Sequence, residues 1–271
     1  MKPIHKYKRR AVMKAGLSAL GAAAFSSAPF VMAQEGKKFK LVALMGDYWH
    51  NSMALETHIR QIFSGVADIY FCQASRFLTP ELIGEADLLV TERWDGMDSL
   101  GWNANGVVKS RPEPDRFMTD EQEEAIISGI RDRGMGWLAC HCSFWNQRPR
   151  IKELLGCEPI LHQEIQPLYF HSFNENHPIT RGTENFTVNL DEQFDALMTN
   201  DDNTILFQTT AMHDKRVATS GWCRDHGNGR FAALLPGHTQ WAWRHPVYQE
   251  IIWRAGFWAM NRDIPSFGAN T

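Results

Sequence analysis

The chain has 271 residues, with 28 Lys/Arg against 31 Asp/Glu and 44% hydrophobic residues. Setting aside the first 33 residues, which hold six Lys/Arg and no acid, leaves 22 bases against 31 acids, a net charge of −9 that argues against a nucleic-acid partner. Five cysteines, Cys72, Cys140, Cys142, Cys157 and Cys223, are odd in number and lack a CxxC spacing, so neither a disulfide framework nor a thiolate zinc site is indicated.

Residues 1–33 read as an export signal rather than as part of the fold. Lys8-Arg9-Arg10 precedes a small-residue and apolar run from Ala15 to Phe25, and Val31-Met32-Ala33 offers a small-residue cleavage site. A twin arginine before a modestly hydrophobic run looks like the address of the twin-arginine route, which places the mature chain in the periplasm or otherwise outside the cytoplasm. The run is shorter than the roughly 20 residues a spanning helix needs, so no stable membrane span remains after cleavage. About 238 residues follow without a linker or internal repeat, enough for a single domain over residues 36–265.

Residues 38–44 form a short apolar run ending at Met45-Gly46-Asp47, the pattern of a buried strand emerging into a loop. A helix is predicted over 52–63, and strands over 67–72 and 87–91. Residues 96–118, with Trp102 and two prolines, form a long polar stretch, either a lid or binding loop or a surface excursion. Thr119 and Gln122 have capping-box spacing before a helix over 123–133, which Gly134 stops. Gly136-Trp137-Leu138-Ala139-Cys140 reads as the next buried strand, delivering His141 at its carboxyl end, and a short helix follows over 151–155. Strands are expected at 204–210, 216–222 and 230–235, the last two joined by a tight turn at Gly227-Asn228-Gly229. The chain closes on a helix over 245–260 with Ile251, Ile252, Ala255 and Trp258 on one face. Strands alternating with helices imply a parallel sheet and an α/β class.

Three histidines each fall just after a predicted strand: His50, His141 and His238. In a parallel sheet those loops converge on one edge, where α/β proteins bind ligands, so the three imidazoles are expected to meet in one pocket. Trp49, Trp94, Trp145, Trp241 and Trp243 lie in the same segments, either as flat platforms suited to a sugar ring or as packing. Glu92 and Asp95 follow the third strand and are either site carboxylates or surface acids. If a metal is bound, His50, His141 and His238 are its ligands, and zinc or another divalent ion accepts such donors, although the short HxH and HxxxH spacings are missing. His162, His171, His213, His226 and His245 lack strand-end context and read as structural or exposed.

The capping-box run through Gly136-Trp137-Leu138-Ala139-Cys140-His141, then His177-Pro178-Ile179-Thr180-Arg181-Gly182, Asp191-Glu192-Gln193-Phe194, and Gly229-Arg230-Phe231 with Pro236-Gly237-His238, resembles the ThuA-like (trehalose-utilisation) family in order and spacing over residues 38–262. The resemblance implies an α/β flavodoxin-like doubly wound fold, a mostly parallel sheet with helices on both faces similar to class I glutamine amidotransferases, and a role in carbohydrate catabolism: cleavage of a glycoside or its 3-keto derivative, by hydrolysis or elimination. It also implies a small-molecule carbohydrate partner and a sugar 3-dehydrogenase acting in the same pathway. His141 stands where the amidotransferases keep a cysteine nucleophile, which disfavours a glutaminase. In this reading His141 or His50 is the base, His238 polarises a ketone, and Asp191 or Glu192 orients the imidazoles, with one acid facing the pocket and its neighbour solvated. The His177-Pro178 segment is the turn that positions Asp191. The sequence departs from the family run by flanking His141 with Cys140 and Cys142 and following it with Phe144-Trp145, which leaves Cys142 as either a thiol nucleophile or a packed residue. A non-catalytic sugar-binding protein, or a cysteine-dependent hydrolase, are the other two functions compatible with these residues.

Overall fold

The computed structural model describes residues 37–94, 96–97, 114–115, 117–145 and 148–268. The export segment 1–33, Asp95 and most of the 96–118 stretch, including Trp102, lie outside the described residues.

Thirteen strands are described: β1 (Phe39–Met45), β2 (Ala67–Cys72), β3 (Leu88–Glu92), β4 (Gly96–Met97), β5 (Pro114–Asp115), β6 (Gly136–Cys140), β7 (Cys157–His162), β8 (Gln166–His171), β9 (Phe186–Asp191), β10 (Phe194–Met198), β11 (Thr204–Ala211), β12 (Val217–His226) and β13 (Gly229–Leu234). The described helices are α1 (Ser52–Ile62), α2 (Pro80–Glu85), α3 (Asp120–Arg133), α4 (Pro149–Leu155), α5 (Gln240–Arg244) and α6 (Pro246–Ala259). Nine strands make the central sheet in the order β2-β1-β3-β6-β13-β12-β11-β8-β9. Its first five strands are parallel and the remainder antiparallel, so the sheet is mixed.

The parallel half follows from continuous apolar runs, because a strand covered on both faces has no position for a polar side chain. In β1, Leu41, Ala43 and Met45 face one core with Leu55 and Ile59 of α1 and Ile252 of α6, whereas Val42 and Leu44 face the other with Ile83 of α2 and Ile126 of α3. Each such leucine stabilises the fold by about 1.5–3 kcal/mol on burial. The turn between β12 and β13 is fixed by Gly227, with φ at +62° and a would-be Cβ only 2.3 Å from the Arg131 carbonyl oxygen, so a side chain has no room there.

The elements between residues 157 and 198 have no counterpart among the predicted elements. These strands are short and half-exposed: Ile160, Leu161, Leu190 and Leu197 face outward, so their hydrophobic pattern is not that of a buried run. β7 and β10 form a separate antiparallel pair, and β8 and β9 complete the antiparallel end of the sheet. β12 extends to His226, beyond the expected Trp222, because Arg224 and Asp225 pair across to Phe231 and Arg230 at its solvated end. On α6, Trp258 is only partly buried, and Trp253 takes the core position against Phe63 and Phe257.

Helix α3 carries the expected capping box: the Thr119 hydroxyl accepts from the Gln122 N–H, and the Gln122 side chain accepts from the Thr119 N–H. Gly134 closes it in the left-handed conformation. Thr119→Ala is expected to cost about 1 kcal/mol, seen as a lower urea midpoint at unchanged denaturant slope.

Candidate functional site

The loops after β1, β6 and β13 leave the same carboxyl edge of the parallel strands, and they bring His50, His141 and His238 together. Ring centroids are 4.9 Å apart for His50–His141, 4.8 Å for His50–His238 and 5.5 Å for His141–His238. Glu192, from the turn between β9 and β10, joins them: its Oε2 lies 3.4 Å from His141 Nε2 and 3.3 Å from His238 Nδ1.

Each imidazole is held by a different device. His50 Nδ1–H donates to Asp47 Oδ1 at 2.7 Å, which leaves its Nε2 lone pair 3.1 Å from His238 Nδ1. Asp47 Oδ1 also accepts from the Trp49 and His50 main-chain N–H groups, and its Oδ2 from Trp94 N–H. His141 Nδ1–H donates to the Leu235 carbonyl oxygen at 2.8 Å, so its Nε2 lone pair is turned toward Glu192. His141 sits at φ +43°, a left-handed conformation that costs a non-glycine residue roughly 1–2 kcal/mol. That strain marks the sharp turn that aims the ring from the end of β6 at the cluster.

His238 is positioned by Asp191 through its own loop. Asp191, the last residue of β9, is fully buried, and its carboxylate accepts from Gly237 N–H at 2.8 Å and Thr239 N–H at 2.9 Å. The expected division of labour between the adjacent acids is therefore corrected: Glu192 faces the cluster, while Asp191 is neither solvated nor in the cavity wall but grips the loop that bears His238. Neighbours along an extended chain point to opposite sides.

Burial pushes the His141 pKa down to about 4, so its imidazole is neutral. Burial would raise Glu192, but the His238 imidazole beside it holds the carboxyl well below the usual carboxylate range. Burial likewise works against the His238 cation, and Glu192, Asp191 and Asp47 overcome it to raise that pKa. Asp47 is lowered to about 2, its desolvation outweighed by His50 and by the Trp94 and Trp49 N–H groups. Glu92 lies fully buried at the end of β3 and is pushed far up by burial and by Asp47 and Asp191, so it is a neutral carboxylic acid beneath the site rather than a surface acid or a cavity carboxylate.

Above the cluster lies a cavity of about 390 Å³, within the range of roughly 300–1,000 Å³ for small-molecule sites. Trp49, Trp94, Trp145 and Phe194 form its apolar walls, and His50, His238, Glu192 and Cys142 its polar floor. His162 completes the lining, with Nδ1 2.7 Å from Glu192 Oε1. It ends β7, a strand whose lack of an apolar signature hides it in the sequence; only Glu192 and Trp145 in neighbouring segments hint at a shared site. His171 and His226 likewise end strands, β8 and β12, but lie outside this cavity. A more open groove of about 720 Å³ passes His177, Asp225 and Trp258 at the opposite end of β13.

Three expected residues sit elsewhere. Trp243 is buried, stacks on His58 and donates its indole N–H to the Gly237 carbonyl oxygen, so it supports the His238 loop from behind. Trp241, exposed on α5, is outside the cavity lining. His141 lies beneath the cavity rather than in its wall. Cys142 lines the cavity 3.8 Å from Asp47 Oδ2 and from His50 Nδ1, yet burial and the Asp47 carboxylate push its thiol far up, and the nearby His50 nitrogen already donates to Asp47. Cys140 is buried in the α6-side core.

Parallel strands with helices on both faces and a cavity on their carboxyl edge define a doubly wound α/β fold. The fold is similar to that of a ThuA-like protein from Bacteroides uniformis, at 14% identity and a TM-score of 0.63 over 84% of this chain and 94% of that one. It is also similar to a protein described as a GMP synthase component from Thermoplasma acidophilum, at 12% identity and a TM-score of 0.51 over 83% and 96% of the two chains. Residues 73–259 match the family ThuA, trehalose utilisation, and the chain belongs to that family. No curated protein matches it in sequence.

Asp191→Ala orphans the buried Gly237 N–H, at roughly 1–3 kcal/mol, and releases the half-buried Thr239 N–H to solvent. A lower melting temperature is expected, together with a shifted His238 ring resonance in the folded variant.

Proposed function

We propose that the protein is an exported enzyme of carbohydrate catabolism that cleaves a 3-keto-glycoside by elimination. The observation that carries this reading is the pairing of three indole walls with an acid–base floor in one cavity, in a chain of a trehalose-utilisation family. Indole faces suit the apolar face of a sugar ring, and the histidine–glutamate floor suits its carbonyl and hydroxyl oxygens.

The base is assigned to His162. Its Nδ1 is engaged by Glu192 Oε1 at 2.7 Å, so the lone pair is on Nε2, on a ring that lines the cavity. His141 is covered, and His50 has both nitrogens engaged within the cluster, so neither fits the base role expected from sequence. His162 Nε2 takes the C2 proton, the C2–H electrons pass into the ketone to give an enolate, and His238, whose Nδ1 is engaged by His50 and Glu192, stabilises the enolate oxygen through its Nε2–H. Collapse of the enolate breaks the C1–O bond, leaving an unsaturated ketone and an alkoxide that takes up a proton. Water addition to the unsaturated ketone makes the net reaction a hydrolysis. The substrate is supplied by a dehydrogenase that oxidises the sugar at C3, and the twin arginine of residues 9–10 directs the chain to the periplasm where that substrate is met.

Incubation with a panel of glycosides and their 3-keto forms, read by mass spectrometry, tests this. Product is expected from the keto forms only, and His162→Ala is expected to lower kcat by roughly 100- to 10,000-fold, with Trp145→Ala acting chiefly on KM. Saturable binding with no product would replace the enzyme by a sugar-binding protein. Selective alkylation of Cys142 with loss of turnover would move the chemistry to a cysteine-dependent hydrolase.

A further inference from the structure

We infer that His50 Nε2, His141 Nε2, His238 Nδ1 and Glu192 Oε2 are the four protein ligands of a divalent transition-metal ion, zinc by preference, held at the floor of the cavity.

The argument starts from a surplus of lone pairs. Asp47 can only accept at His50 Nδ1, and the Leu235 carbonyl can only accept at His141 Nδ1, so both rings carry their proton on Nδ1 and present Nε2 as a lone pair. Glu192 Oε2 adds a third acceptor. His238 Nδ1 is the one atom of the four that could bring a proton, and it lies between His50 Nε2 at 3.1 Å and Glu192 Oε2 at 3.3 Å. His141 Nε2, fully buried and aimed at the same point, has no hydrogen-bond partner among the described residues. A buried acceptor without a donor is costly, and one proton cannot serve three acceptors. One cation at the centre satisfies all four.

The distances agree with that occupant. Ligands about 2.0–2.1 Å from a tetrahedral zinc ion lie roughly 3.3–3.4 Å from one another. Three edges of the cluster measure 3.1, 3.3 and 3.4 Å, and the three imidazole donor atoms all lie within 4.8 Å of one another. The outer contacts are also those of a metal centre, where each imidazole is oriented through its other nitrogen by a carboxylate or a backbone carbonyl. Asp47 does so for His50, and Leu235 for His141. Three imidazoles and a carboxylate suit zinc and its first-row neighbours, whereas magnesium and calcium prefer all-oxygen shells.

A second grouping, Asp47, His50 and Cys142, also brings three donor atoms close. It is excluded as the ligand set because Asp47 Oδ1 is taken by His50 Nδ1 and two N–H groups and Oδ2 by the Trp94 N–H, while the Cys142 sulfur stands 3.8 Å from both partners. The site rests on ligand geometry alone, independent of which molecule fills the cavity above.

The test uses the purified protein stripped of metal with a chelator, titrated by calorimetry with Zn²⁺, Co²⁺ and Mg²⁺, with metal content measured after gel filtration. One Zn²⁺ or Co²⁺ per chain is expected, with the visible absorption of four-coordinate cobalt, and no saturable heat from Mg²⁺. His238→Ala and Glu192→Gln are expected to lose the cobalt band while keeping the far-ultraviolet circular dichroism of the fold. Asp47→Asn, which disturbs the contact that orients His50 together with the Trp49 and Trp94 N–H contacts but removes no ligand, is expected to weaken zinc binding roughly 10- to 100-fold while keeping the far-ultraviolet circular dichroism. Failure to retain zinc, or equal affinity in wild type and all three variants, overturns the site. Metal binding without turnover of any sugar leaves it standing and overturns the proposed reaction instead.

Discussion

Asp47 is the constraint on which the carboxyl edge depends. Its carboxylate accepts from the N–H groups of Trp49 and His50 in its own loop, from the His50 ring, and from the N–H of Trp94 in the loop after β3. A buried carboxylate this fully engaged is stable only as long as every donor stays in place, because each one lost returns part of its desolvation cost. One side chain thus fixes the β1 loop to the β3 loop, sets the His50 tautomer, and places two indoles, Trp49 and Trp94, on the cavity wall. Asp191 does the corresponding work at the other side, tying the end of β9 to the loop that carries His238.

The site is therefore built in two layers with different duties. The lower layer consists of two buried acids and a packed indole, Asp47, Asp191 and Trp243, which orient loops without facing the cavity. The upper layer is the imidazole–carboxylate cluster with its indole walls. Rigid parallel strands supply the alignment, since their carboxyl ends leave the sheet on one edge and in register. The antiparallel half contributes differently: β9 leads to Asp191 and Glu192 from the far edge of the same sheet, and the separate β7–β10 pair delivers His162. Fold and chemistry separate at this point. The likeness to the GMP synthase component concerns the sheet and its helices, whereas the imidazoles and carboxylates of the cluster belong to loops at its edge.

Much of the parallel half was legible in the sequence. The strand runs at residues 38–44, 67–72, 87–91 and 136–140, the α3 capping box and the Gly227 turn are local signals, because continuous apolar runs, caps and glycine turns are each decided within a few residues. The convergence of His50, His141 and His238 was also legible, since strand-end position in a parallel sheet is a topological statement. The antiparallel strands β7 to β10 were not, because β7, β9 and β10 are half-exposed with mixed patterns that resemble loops, and β8, interior to the sheet, is a short alternating run that opens on Gln166-Pro167.

The sequence by itself determined the α/β class, the family likeness and which three histidines would meet. The tertiary structure alone decided which acid of the Asp191–Glu192 pair faces the cluster, that Trp145 lines the cavity while Trp243 is buried behind it, and that His162 belongs to the site. The reason is common to all three. Identity and order along the chain state what a side chain can do, but its direction depends on strand alternation, on the hydrogen bonds that claim its oxygens, and on partners that are dozens of residues away.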